Sequence, residues 1–486
     1  MSDERLDDPA LSRSEIGDRA VRGAAVLALR GVLTRVLNFA GNVALARLLV
    51  PEDFGLVAIG LAVSAFATEA ASGGMGAGLI RRAEAPERSD LRALLGAQLV
   101  ATTVLGALIA AAALPFGEAG AITAVMMLAL PVAAWRVPGG VMVERAMTYR
   151  PLLIVELAET LAFIAFSVTA AALGFGALGL AAAYVARAAV GSLAMGRVAP
   201  VGLLRPAWSW ERVRPLLRFG VQFQAVSVVV LARDHGLNVG LAAVSGLTVV
   251  GLWVLANRIL SVTLVVAGSL WRVSFPAMAR LKALGDAAPV ERMVRLVAVP
   301  LGALVVLLVA GAPGFVPAIF GPAWADAADV LPLCGLGALL HGPISTAVTG
   351  WLYAEGSAGT VLKATVAGAV TLVGVSLALA PALGVGAVGV AFAAACVVES
   401  LALALPVRAR TGARIGRVLA GPYAAGAAGA IGGWSLTVAL DSTLAAAVLG
   451  TAAGGAIFLA GLALLARDTL TDVLALRRRL VPAPAA

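Results

Sequence analysis

The chain has 486 residues, of which 61% are hydrophobic and 13% charged, with a formal net charge of +9, whereas a soluble domain carries about 25% charged residues. With a mean hydropathy of +0.97, this excludes a soluble enzyme or a nucleic-acid-binding module and reads as a polytopic membrane protein. Cys334 and Cys396 each lie inside an apolar run, as small core residues and not as a disulfide or metal site.

Residues 1–24 form a polar tail of mixed charge without the apolar centre of a signal peptide. Apolar runs of about 20 residues, the length a helix needs to cross about 30 Å of hydrocarbon, then recur. Fourteen are placed near 25–48, 54–80, 91–114, 120–142, 152–173, 177–198, 215–239, 246–271, 293–311, 326–350, 359–380, 384–406, 418–440 and 443–466. The fold class is therefore an all-α integral membrane protein of about 14 transmembrane helices.

Span 1 carries charge and amides inside its apolar run. Arg35, Asn38 and Asn42 fall within about 60° of arc at 100° per residue, so the helix bears one polar stripe. An arginine at mid-membrane costs roughly 2.5–3.5 kcal/mol even on lenient scales, so the stripe is expected to face protein or a watery cavity. Glu69, deep in span 2, is a candidate intramembrane carboxylate for pairing with a first-lobe arginine. Glu156 and Glu159, one turn apart near the start of span 5, read as a solvated helix end.

The arginines alternate between connections. They cluster before span 1, after spans 2, 4, 6, 8 and 12, and after the last span, while the intervening connections hold no lysine or arginine. The positive-inside rule then places both termini in the cytoplasm, and the expected location is the plasma membrane.

Leu173-Gly-Phe-Gly-Ala-Leu-Gly179 is echoed by Leu383-Gly-Val-Gly-Ala-Val-Gly389, six spans later. An even spacing keeps both halves in the same orientation, related by an axis along the membrane normal. The expected organisation is a first lobe over 25–198, a basic cytoplasmic linker over 199–217, a second lobe over 218–407, a terminal helix pair over 408–466 and a basic tail over 467–486. Both glycine stretches match the dinucleotide pattern G-x-G-x-x-G, but they lie between membrane spans and not after a strand, so they read as tight outer turns.

The second lobe opens with its own stripe. Gly220, Gln224, Ser227, Asp234 and Asn238 share about 80° of span 7, and Asn257 and Arg258 sit within span 8. The cluster Arg233-Asp234-His235 offers either a proton relay or a local ion pair. The only other histidine is His341, at no metal-ligating spacing from the first, so neither a metal nor any other cofactor is expected.

Leu45-Ala-Arg-Leu-Leu-Val-Pro-Glu-Asp-Phe-Gly55, Arg150-Pro-Leu-Leu-Ile-Val-Glu156, Asp234 through Ser274-Phe-Pro276, and Phe320-Gly-Pro-Ala-Trp324 together resemble the Wzx-type polysaccharide and lipopolysaccharide flippases of the multidrug/oligosaccharidyl-lipid/polysaccharide (MOP) superfamily, over residues 25–406. The resemblance implies two lobes around a central cavity. It also implies a non-enzymatic alternating-access carrier that moves a polyprenyl-pyrophosphate-linked oligosaccharide outward for O-antigen or exopolysaccharide assembly, alongside a polymerase and glycosyltransferases. Independently of it, Arg35 and Arg258, with Asn38, Asn42, Gln224, Asp234 and Asn257, are candidate contacts to an anionic head group, because a guanidinium binds phosphate through a planar fork. Glu69, Arg233 and His235 are candidates for an ion pair or coupling. The alternatives are a cation-coupled multidrug exporter, which needs acidic and aromatic cavity residues, and a membrane glycan polymerase or transferase, which needs a large outer loop.

Overall fold

The structure is a computed structural model that describes residues 33–81, 84–146, 150–263, 288–355 and 357–469. Among these the chain is helical with no β-strand, and each of the fourteen expected apolar runs coincides with a helix. In the first half these are α1 (33–48), α2 (Pro51–Ser72), α3 (Arg88–Ala113), α4 in three pieces (Gly117–Met127, Ala129–Ala134 and Val137–Arg145), α5 (Arg150–Ala172), α6 (Gly176–Val198) and α7 (Trp210–Ser245). The second half holds α8 (Leu247–Thr263), α9 (Ala288–Ala310), α10 (Leu331–Ala354), α11 (Ala358–Leu383), α12 (Gly386–Thr411), α13 (Ile415–Ala439) and α14 (Leu444–Leu465). Nine helical stretches among the described residues are long and apolar enough to cross a membrane.

Three expected spans are interrupted: span 10 breaks at Val330, just before Pro332, and spans 4 and 2 break for local reasons of their own. Span 4 breaks at Leu128 and again at Trp135-Arg136, because Pro131 and Pro138 lack the N–H that would bond the carbonyl one turn earlier. Span 2 ends at Gly73-Gly74, where φ values of 52° and 61° are ones only glycine adopts readily, and the short helix Met75–Arg81 follows. Arg145 donates to the Leu79 and Ile80 carbonyls at 2.8 and 3.1 Å, which satisfies two otherwise orphaned groups at the end of that helix.

The sequence motifs have structural causes. In Pro51-Glu-Asp-Phe-Gly55, proline starts α2, Phe54 is buried, and the Asp53 carboxylate accepts from the Val50 N–H at 3.2 Å and from the Ala177 N–H at 3.1 Å. One carboxylate thus ties the start of α2 to the start of α6. The glycine pattern before α6 is a turn, with Gly174 and Gly176 at φ 84° and 52°, and its echo Gly384 has φ 54°. In Phe320-Gly-Pro-Ala-Trp324, Gly321 at φ 116° turns the chain and buries Trp324 completely.

The chain divides into two compact units, Met1–Val239 and Gly240–Ala486, a division that falls inside α7. Residues 199–209 lie on the first unit as a strap. The Ala207 N–H donates to the Arg92 carbonyl and Arg92 Nε to the Arg205 carbonyl, both at 3.0 Å. A Cβ at Gly96 would overlap the Ala207 carbonyl, so only glycine lets the strap approach this closely. Arg212 then bridges Glu87 and Asp90 at 2.9 and 2.8 Å, and hydrogen bonds from Asp90 and Glu87 hold its guanidinium charged well above its usual range. Val201, Leu204, Val213 and Leu216 join the core formed by Leu79, Leu91, Leu94 and Leu95.

In the second unit, α13 and α14 pair closely and both pack on α9. A Cβ at Gly429, Gly433 or Gly454 would collide with backbone of the facing helix, the small-residue packing that lets helix backbones approach where no hydrophobic drive exists between them. Thr437 Oγ donates to the Ala310 carbonyl at 2.8 Å and fastens α13 to α9.

Candidate functional site

The first unit gathers charge where three helices meet. The proline-opened turn of α4 carries Arg136, α5 carries Glu159, and α6 carries Tyr184 and Arg187. Because Arg136 N–H bonds the Ala133 carbonyl in this tightened turn, the Val132 carbonyl is released and accepts from Ser192 Oγ on α6 at 2.6 Å. Glu159 is 3% exposed, and its carboxylate lies over Gly191, where any Cβ would overlap it. Arg136 donates to Glu159 Oε1, and Arg187 Nε stands 3.6 Å from Oε2. Both arginine side chains remain 41% exposed.

Two cavities flank Arg136. One of about 270 Å³ is bounded by Glu69, Gln98, Thr102 and Arg136, and one of about 130 Å³ by Thr68, Arg136, Tyr184 and Arg187. At about 1.5 Å of rise per residue, Glu159 lies roughly 14 Å from the start of α5 and Arg187 roughly 16 Å from either end of α6. The expectation that Glu159 is a solvated helix end is therefore corrected. It is a buried carboxylate held between two cations, since nine residues of helix carry it well into the span.

The second unit builds a related cluster from α10, α11 and α12. Glu399 Oε1 accepts from Thr365 Oγ1 at 3.0 Å, His341 Nε2 lies 3.7 Å from Glu399 Oε2, and His341 Nδ1 is 3.2 Å from Ser400 Oγ. A Cβ at Gly368 would press on the Glu399 carboxylate. Each unit thus seats a carboxylate against a glycine on a neighbouring helix, and among the described residues the first alone surrounds it with arginines. Cys334 and Cys396 are buried free thiols, as expected.

The residues singled out from the sequence are distributed as follows. On α1, Arg35 and Asn38 are exposed and Asn42 is half-buried, and Asn38 Nδ2 bonds back to the Thr34 carbonyl at 2.7 Å. Among the described residues Arg35 makes no ion pair. Glu69 shares the larger cavity with Arg136. His235 packs edge-on to Phe66, with ring centroids 6.4 Å apart. Asn257 is exposed and Arg258 half-buried on α8. Gln224, Arg233 and Asp234 lie on the α7 helix, but their side chains, like the Ser274-Phe-Pro276 motif, fall outside the described residues. No group of three or more potential metal ligands occurs among the described residues. Arg136 and Arg187 sit in apolar runs as Arg35 and Arg258 do, so the cost of an intramembrane arginine is the sequence signal that marks them as well.

The fold matches that of solved transporters. The lipid II flippase MurJ, in an inward closed conformation, superposes with a TM-score of 0.71 at 11% identity, over 91% of this chain and 99% of that one. An inward-facing multidrug resistance MATE family transporter of the MOP superfamily matches with a TM-score of 0.56 at 18% identity, over 80% of this chain and 98% of the other. No curated protein matches the sequence. The sequence pattern of the polysaccharide biosynthesis protein family matches residues 44–329, more than half of the chain, and with the MOP-type fold around it the chain belongs to that family.

Proposed function

We propose that this protein is a flippase that carries a polyprenyl-pyrophosphate-linked oligosaccharide from the inner to the outer leaflet of the plasma membrane by alternating access, for surface polysaccharide assembly. The observation that carries the reading is the pair of half-exposed guanidiniums, Arg136 and Arg187, opening on one cavity between apolar helices in a member of the polysaccharide biosynthesis family. A lipid-linked pyrophosphate is anionic, and arginine stays charged when desolvated and offers a fork matched to phosphate. Arg35 and Arg258, with Asn38, Asn42, Gln224, Asp234 and Asn257, remain proposed contacts along its route, and Glu69, Arg233 and His235 proposed coupling groups.

The runner-up is a cation-coupled multidrug exporter, favoured by the shared fold and by Glu69 on a cavity wall. The two separate in proteoliposomes loaded with a short polyprenyl-pyrophosphate-linked glycan, where a membrane-impermeant lectin reads how much glycan crosses. The expected result is protein-dependent glycan exposure that falls at least tenfold in Arg187→Ala. Efflux of a cationic dye without glycan movement would overturn the flippase reading.

A further inference from the structure

We propose that the smaller cavity of the first unit is a binding site for a phosphate-class anion, with the Glu159 carboxylate as the built-in counter-ion that a bound anion supplements or displaces. Arg136 and Arg187 provide two positive charges, and the Glu159 between them provides one negative charge. The surplus falls on Arg187, whose guanidinium is 3.6 Å from Glu159 and makes no hydrogen bond among the described residues. A guanidinium with unspent donors about 16 Å from either helix end is costly unless it faces water or an anion. The space beside it fits the second choice. It measures about 130 Å³ and is lined by Arg136, Arg187 and Tyr184, so a phosphoryl group there meets two planar forks. Glu69 lines the larger cavity and not this one.

A purely structural role for the arginines is the competing explanation, and the second unit shows what that role requires. There a carboxylate on α12, Glu399, is held by Thr365 and His341, with no arginine in the cluster among the described residues. One buried carboxylate needs at most one cation, so the second arginine of the first unit is in excess of packing. Resting on the flippase reading only for the origin of the anion, the site can be tested by itself.

The test is isothermal titration of the full-length protein in lipid nanodiscs with inorganic pyrophosphate and, separately, with farnesyl pyrophosphate. Arg136→Gln and Arg187→Gln are expected to weaken both at least tenfold. Glu159→Gln, which keeps the shape and removes the competing charge, is expected to tighten both about tenfold, one charge-assisted interaction's worth. That gain cannot arise from misfolding. Unchanged affinity in the arginine variants, or weaker binding in Glu159→Gln, overturns the proposal. Within a positive result, equal affinity for the two probes assigns the site to the phosphates alone, and at least tenfold tighter binding of the prenylated probe assigns it to a lipid head group. Arginine-dependent binding with glycan movement intact in Arg187→Gln supports the site and removes it from the flippase cycle.

Discussion

At the scale of single residues, the first unit's charge cluster depends on Gly191 as much as on its ions. A methyl there would occupy the space of the Glu159 carboxylate, so Gly191→Ala should lower the melting temperature of the purified protein, at a cost of about 1–3 kcal/mol for an overpacked site. In a Glu159→Ala background the same change should cost nothing further, because the two groups compete for one volume. Additive losses would show that they do not. Arg35 presents the opposite case, since it is exposed and makes no ion pair among the described residues. Replacing it with alanine should therefore leave membrane abundance unchanged while export falls, and loss of both together would assign it a packing role. Arg35 was legible in the sequence because charge in an apolar run announces itself, whereas Glu159 was read as a helix end and Arg136 and Arg187 were not singled out. Which of them meet was not legible. Arg136, Glu159 and Arg187 lie on three different helices, and which faces meet depends on the rotation of each helix, which an apolar run long on all sides leaves open.

At the scale of elements, small residues decide which helices touch. Gly433 lies against Gly450 and Ala310, and a Cβ there would collide with backbone, whereas Gly455 on the same helix pair has open space around it. Gly433→Leu should thus cut the amount of folded protein in the membrane severalfold, and Gly455→Leu should leave it near wild type. Equal levels for the two variants would show that the α13–α14 seam does not hold the terminal pair in place. The strap over residues 199–209 follows the same logic with charges added. Arg212, bonded to Glu87 and Asp90 but 35% exposed, should cost only about 1 kcal/mol when truncated to alanine, read as a small drop in melting temperature, because solvent screens the pair. The existence of each helix was legible from apolar length, and the breaks at Pro138 and Gly73-Gly74 are ordinary proline and glycine effects. The strap was read as a linker because its composition is basic and rich in proline and tryptophan, and nothing in that composition reveals that Ala207 fits over Gly96.

At the scale of the whole molecule, the alternation of arginine-bearing and arginine-free connections makes a prediction that single residues and single helices cannot. If the chain crosses the membrane fourteen times with both termini in the cytoplasm, the start of α3 and the end of α12 lie on one side, ten crossings apart, and the α3–α4 and α13–α14 turns lie on the other. Arg88 and Arg408 are exposed at the first two places, and Phe116 and Asp441 at the other two. Single cysteines at these positions suit a labelling experiment because the native thiols give little background, with Cys334 at 0% and Cys396 at 6% exposure. A membrane-impermeant maleimide should label cysteines at positions 116 and 441 in intact cells, and those at 88 and 408 only in inverted vesicles. Arg88→Cys and Arg408→Cys reporting opposite sides would mean an odd number of crossings between them. That outcome would break the parallel relation of the two repeats, which needs an even number of crossings between them.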